Sequence, residues 1–173
     1  MKATGIIRRI DDLGRIVIPK EIRKQLKITE GENMEIFIDD NEHIILKKYS
    51  NLKNVEDIAR KITDSIYSFL KNNIIITDNT SVIAVSGKNK KDLINKDISN
   101  NLLKIIKKRE NIVERNVNIV DNIEINGNYK INMITNNGDV NGLLIFIKEE
   151  EKTKEEEKII DLETKFLSKY LEE

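Results

Sequence analysis

Apolar residues fall into two regimes that meet near residue 50. Before it they come in short β-branched runs: Ile6-Ile7-Arg8-Arg9-Ile10, Ile16-Val17-Ile18, Met34 to Ile38 and His43 to Lys47. The first two predict strands around a turn at Asp11-Asp12-Leu13-Gly14, where Gly14 can take a positive φ. Pro19, the only proline, predicts the first residue of a brief helix, with Glu21 in its first turn and Ile22 and Leu26 on one face. Thr29 to Asn33 reads as a turn, and the second pair of runs reads as another hairpin around Asp39-Asp40-Asn41-Glu42.

Beyond residue 50 the spacing lengthens. Asn54 is placed to cap a helix carrying Val55, Ile58, Ala59, Ile62, Ile66, Phe69 and Leu70 at helical intervals. Strands are expected at Asn73–Thr77, Ser81–Ser86, Val117–Val120, Tyr129–Thr135 and Val140–Lys148. Gly142 to Ile147 is apolar enough to be a central strand, and Asn136-Asn137-Gly138-Asp139 is a hairpin turn. Gly87 to Asp97 reads as loop with a short helix, and Ile98 to Lys108 as a helix. Thr153-Lys154-Glu155-Glu156 matches a capping box ahead of a final helix. Its expected stripe is Ile159, Leu162, Phe166 and Tyr170, with Ile160, Leu167 and Leu171 beside it. The alternation of helices and strands predicts an α+β domain with helices on one face of an antiparallel sheet.

About fifty residues form too small a unit to hold a core without a staple, and the chain has no cysteine to supply one. Two copies pooling strands would solve this, which makes the N-terminal segment a dimerising one. No apolar core of a signal peptide follows Met1 and no apolar run reaches membrane-spanning length, so the expectation is a cytoplasmic protein.

Formal net charge is zero, but its distribution is uneven. Residues 2–27 carry eight positive charges against three negative, a local +5, while residues 28–50 carry a local −4. One basic face is what a phosphate backbone requires. Lys2, Arg8, Arg9, Arg15, Arg23 and Lys24 are the candidate contacts to double-stranded DNA. The alternative reading stays open: Arg23 and Lys24 solvate a helix, and Arg15 pairs with Asp11 or Asp12.

Enzyme chemistry finds little support. His43 is the only histidine and has no cysteine to share a metal with. Ser86-Gly87-Lys88 lacks the first glycine and the hydroxyl of a phosphate-binding loop and reads as a turn. No catalytic residue, metal site or cofactor is expected.

Thr4 to Arg23 resembles the signature of the AbrB-type swapped-hairpin DNA-binding domain, T-G-I-x-R-x-[IV]-D-x-L-G-R-[IV]-V-I-P-x-E-[IL]-R. Met34-Glu35-Ile36-Phe37 and Ile44 to Tyr49 are similar to that family's second hairpin. The resemblance implies a dimer of interleaved hairpins in a barrel-like fold, with DNA contacts at Arg8, Arg15, Arg23 and position 24. Lys24 stands where some members have arginine. The full length is similar to sporulation regulators in which this domain precedes a GAF-like one. That implies residues 1–50 as the DNA-binding domain, 51–71 as a connecting helix and 72–173 as a GAF-like regulatory and oligomerisation domain. It further implies a homo-oligomeric transcription regulator of spore formation, a tetramer through C-terminal helices, action in the developing spore compartment, and a small-molecule effector as an option. An antitoxin-like protein-interaction module is the alternative; the patterned, cap-marked C-terminal half argues against the free tail it needs.

Overall fold

The computed structural model describes residues 4–26, 28, 30, 31, 33–49, 56–123 and 125–172. Two units divide the chain, Met1–Tyr49 and Ser50–Glu173.

The first unit holds α1 (Lys20–Gln25), β1 (Met34–Ile38) and β2 (Ile44–Lys48). β1 and β2 pair antiparallel from Met34↔Lys48 to Ile38↔Ile44. Pro19 is the N-cap of α1 rather than its first residue, so the helix starts at Lys20, one residue later than expected, and Glu21 lies in the first turn. The expected strands at Ile6–Ile10 and Ile16–Ile18 do not form a ladder within the chain. Their physical difficulty is visible in exposure: Ile7 is 88% and Val17 72% exposed, and Ile38 on β1 is 76% exposed. Among the described residues from 4 to 49, none is buried. The unit has strand-forming residues but no core of its own. Lys2, Lys27, Thr29 and Glu32 lie outside the described residues, as do Asn54 and Val55.

The second unit is built on five strands: β3 (Asn73–Asp78), β4 (Val82–Ser86), β5 (Ile112–Arg115), β6 (Asn128–Asn136) and β7 (Asp139–Lys148). Their order is β4-β3-β7-β6-β5 and every neighbouring pair is antiparallel. The apolar run Gly142–Ile147 lies in the central strand, as its composition predicts. β6 and β7 join through Asn137 and Gly138, both at positive φ (49° and 84°), the conformation a tight hairpin demands.

Helices cover both faces of this sheet, rather than one. On one face α2 (Glu56–Leu70) and α5 (Lys154–Tyr170) bury Ala59, Ile62, Ile66, Ile160 and Leu167 against Ile74, Ile76, Leu144 and Phe146. On the other, α3 (Lys90–Leu93) and α4 (Asn100–Lys108) bury Leu93, Leu102 and Ile105 against Ile75, Leu143, Ile145 and Ile147. Alternate residues of β3 and β7 point to opposite cores, so these strands are apolar on both sides. The expected strand Val117–Val120 is instead a buried loop that closes the second core, and the sheet edge is formed by Ile112–Arg115.

Polar groups fix the ends of the elements. Ser99 caps α4 by accepting from Leu102 N–H at 3.2 Å. The Thr153 capping box is present in full, Glu156 N–H donating to Thr153 Oγ1 and Thr153 N–H to Glu156 Oε2. At Ser86-Gly87-Lys88 the chain turns with Gly87 at φ 119°, where an added Cβ would sit 2.2 Å from Asn73 Oδ1. Tyr129 is fully buried, and burial pushes its hydroxyl up to about 12. The expected stripe of α5 is inverted: Ile160 and Leu167 are buried, whereas Leu162 and Phe166 are 66% and 51% exposed.

Candidate nucleic-acid interface

Two turns of the first unit have the same loop geometry, one of them closing the β1–β2 hairpin. In Asp11–Arg15, Asp11 N–H donates to Arg15 O (3.1 Å) and Gly14 N–H to Asp11 O (3.0 Å), with Gly14 at φ 75°. In Asp39–His43, Asp39 N–H donates to His43 O (3.1 Å) and Glu42 N–H to Asp39 O (3.0 Å), with Glu42 at φ 61°. This is a three-residue hairpin loop whose last residue is left-handed.

The aspartate at the head of each loop repeats its role as well. Asp11 Oδ1 accepts from Leu13 N–H and Arg15 N–H, and its Oδ2 accepts from Arg15 Nε at 2.8 Å. Asp39 Oδ1 accepts from Asn41 N–H and His43 N–H, and its Oδ2 lies 2.9 Å from His43 Nδ1. Hydrogen bonds from the Arg15 backbone, then from its side chain, hold the Asp11 carboxyl below its ordinary value. The His43 side chain and then its backbone do the same for Asp39. The spacing D-D-x-x-[RH] stands in both segments, so the duplication of the loop is written in the sequence.

Arg15 thus pairs with Asp11, one of the two alternatives the sequence left open, yet the pairing does not remove it from use. Only Nε is engaged; its two Nη nitrogens make no contact among the described residues, and the side chain is 70% exposed. Arg8 reaches only the neighbouring Ile7 carbonyl, at 3.4 Å. Arg9 is exposed on the same segment. Arg23 and Lys24 are exposed in the last turn of α1, where cations suit the helix dipole. No hydrogen bond or ion pair joins any two of these five, and Lys2 lies outside the described residues. The Asp39–His43 loop carries Asp39, Asp40 and Glu42 with no arginine, so it is more acidic than the Asp11–Arg15 loop, where Arg15 offsets one of two aspartates.

A cleft of about 570 Å³ opens at one end of the second unit's sheet, lined by Tyr67, Lys71, Asn73, Lys88, Asn126 and Glu149 among others. Lys88 pairs there with Glu149 at 3.2 Å. Among the described residues no cluster of His, Cys, Asp and Glu suits a metal ion, and no helix is long and apolar enough to cross a membrane.

A coreless double hairpin studded with arginines, followed by an antiparallel sheet between two helical layers, defines a class: a hairpin-type DNA-binding domain joined to a GAF-like unit. A family model described as stage V sporulation protein T C-terminal, transcription factor, matches residues 54–172. A second, described as antidote-toxin recognition MazE, bacterial antitoxin, matches residues 7–54. The chain is 42% identical over 178 residues to Stage V sporulation protein T of Bacillus subtilis (strain 168), covering all of both chains. It belongs to the stage V sporulation protein T family. Over 49 residues, 28% of this chain and 50% of the relative, it is 59% identical to Transition state regulatory protein AbrB of the same organism. The GAF domain of an Acinetobacter phosphoenolpyruvate-protein phosphotransferase superposes with a TM-score of 0.57 at 12% identity, covering 72% of this chain and 84% of that one. That likeness concerns the fold alone.

Proposed function

We propose that the chain is a homo-oligomeric DNA-binding transcription regulator of sporulation genes, acting in the cytoplasm of the developing spore compartment and carrying no catalytic activity. Residues 1–50 form the DNA-binding domain, pairing with a second copy by interleaving hairpins. Residues 51–71 connect it to a GAF-like domain over 72–173. Arg8, Arg9, Arg15, Arg23 and Lys24, with Lys2, contact DNA in duplicate, matching the two-fold symmetry of the duplex. The observation that carries this reading is the combination in residues 4–49 of exposed arginines with strand residues that have no core within one chain. Arginine forks onto guanine or phosphate, and apolar strands left exposed call for a partner.

The outer stripe of α5, Leu162, Phe166 and Tyr170, supports a further step in which two dimers join as a tetramer. Pairing through the first unit already holds two copies of α5 in one assembly, which raises their effective concentration. A small-molecule effector of the GAF-like unit has the cleft beside Lys71 and Lys88 as its candidate site.

A mobility-shift titration on promoter DNA tests the core of this. Wild type binds with an affinity that falls steeply with salt, and Arg15→Ala and Arg23→Ala bind weakly while staying folded. Equal affinity for all three proteins would end the reading. The antitoxin alternative is weakened by the two-faced core of the second unit, which packs the segment that would otherwise be the toxin-capturing tail.

A further inference from the structure

Two apolar stripes run along α5, and they lie about 120° apart at 100° per residue. Ile159, Leu162, Phe166 and Tyr170 form one; Ile160, Leu167 and Leu171 form the other. The first is the larger and carries both aromatic residues, whose rings stand 6.2 Å apart. Hydrophobicity alone would put that stripe against the sheet. The structure buries the smaller one.

The cause lies on β6. Its face toward α5 presents Lys130, 8% exposed, and Asn132, 4% exposed, before the apolar Ile134. Lys130 Nζ sits 2.9 Å from Asp161 Oδ1, and Asn132 Nδ2 donates to the same oxygen at 2.8 Å and to Thr164 Oγ1 at 3.3 Å. Further along, Thr135 N–H donates to Ser168 Oγ at 3.0 Å. Near the start of the helix Lys148 pairs with Glu156 at 3.0 Å. Turning the helix to bury Leu162 and Phe166 would lay them over the Lys130 ammonium and strip it of its carboxylate. The lysine side chain is 10% exposed and its carboxylate partner 49%; such a pair adds little stability over apolar residues of the same size, but an arrangement that leaves the buried ammonium alone is penalised.

We propose that the network of Lys130, Asn132, Asp161 and Thr164 selects which face of α5 is buried, and so presents Leu162, Phe166 and Tyr170 to a second copy of the chain. The occupant rests on the tetramer reading above; the selection of the face does not.

Because the chain has no cysteine, single thiols report the two faces directly. Phe166→Cys and Leu167→Cys are made in the full-length protein, in the natural background and with Lys130→Met/Asn132→Leu/Asp161→Leu. Thiol labelling is followed at a dilution where sedimentation finds no species above the dimer. In the natural background the thiol from Phe166→Cys labels at least ~10-fold faster than that from Leu167→Cys, which reacts only on local opening. With the network replaced by apolar residues the ratio collapses or inverts, while one cooperative thermal transition is kept. At higher concentration the tetramer is lost. An unchanged labelling ratio in the apolar background overturns the proposal. So does loss of the folded transition there, which would make the network a requirement of folding rather than of face selection. The tetramer reading fails separately, if the natural protein shows no species above the dimer at any concentration.

Discussion

Arg15 Nε lies 2.8 Å from Asp11 Oδ2 while the Arg15 amide lies 2.8 Å from Asp11 Oδ1, so one carboxylate holds both the backbone and the side chain of a proposed DNA contact. On the proposed DNA-binding role, this pairing orders the arginine during folding rather than on binding. Removing Arg15 should cost about 1–3 kcal/mol of binding, the usual worth of an arginine base contact. Asp11→Ala keeps the arginine but frees it, and should weaken binding by less. Fluorescence anisotropy on one promoter fragment ranks the three proteins; Asp11→Ala binding as tightly as wild type would show that the pairing aims nothing.

Arg23 and Lys24 present a different case, because nothing in the described contacts orients them. A cation that meets only phosphate contributes through counterion release. Lys24→Ala should therefore weaken binding similarly on all sequences and reduce the salt slope by about 1 per contact in the assembly. Affinity measured across a salt series on two unrelated duplexes checks this. A loss confined to one duplex would instead make Lys24 a base reader.

The two loops make a matched pair for testing backbone strain. Gly14 and Glu42 occupy the same left-handed position, at φ 75° and 61°. A Cβ at Gly14 would meet nothing within 4 Å. Gly14→Ala should thus cost about 1 kcal/mol from conformation alone, and Glu42→Gly should recover about as much. Thermal melts at one fixed protein concentration read both; Tm moving the same way in the two variants would contradict the equivalence of the loops.

What was legible in the sequence depended on how many constraints met at each position. Gly142–Ile147 was readable as central because six consecutive apolar residues fit only a strand covered on both sides. Asn137-Gly138 and Thr153 announce a turn and a cap by local chemistry. Val117, Ile119 and Val120 misled because burial, rather than strand pairing, explains their apolar character. The α5 stripe misled for a deeper reason: two stripes satisfy helical spacing, and the choice between them is made by Lys130 and Asn132, some thirty residues away in sequence. The arginines of the first unit were readable as a basic cluster. Their setting was not, since it depends on Asp11 and on strands that find no ladder within one chain.

The carboxylates facing β6 and β7 give a pH signature with a definite sign. Burial pushes Asp161 upward, but hydrogen bonds from Lys130 and Asn132 outweigh it and leave the group below its ordinary 3.8. Glu156 is likewise lowered from 4.5, with the Thr153 amide and Lys148 overcoming burial. A carboxyl depressed on folding contributes stability fully above its unfolded value and loses it as pH falls through the folded one. Asp161→Asn should be less stable than wild type at neutral pH, and the gap should close below about pH 4. Calorimetry of both proteins from pH 7 downward checks this, and a gap that widens on acidification would reverse the assignment.

The exposed strand residues of the first unit lead to a concentration-dependent prediction. Ile7, Val17 and Ile38 are too exposed in one chain to stabilise it, whereas the second unit buries Ile75, Leu144, Ile145 and Phe146 completely. If the first unit gains its core only from a second copy, its folding includes an association step and follows mass action; the second unit's does not. Hydrogen exchange on the full-length chain separates the two. On dilution, amides of Met34–Ile38 and Ile44–Lys48 should lose protection while those of Asn73–Asp78 and Asp139–Lys148 keep theirs. DNA binding should decline in parallel with the first set, because a lone copy holds half of the arginines and no frame for them. Protection in both sets independent of concentration would mean that the first unit is stable as a single chain, and the paired hairpins would no longer be needed to explain it.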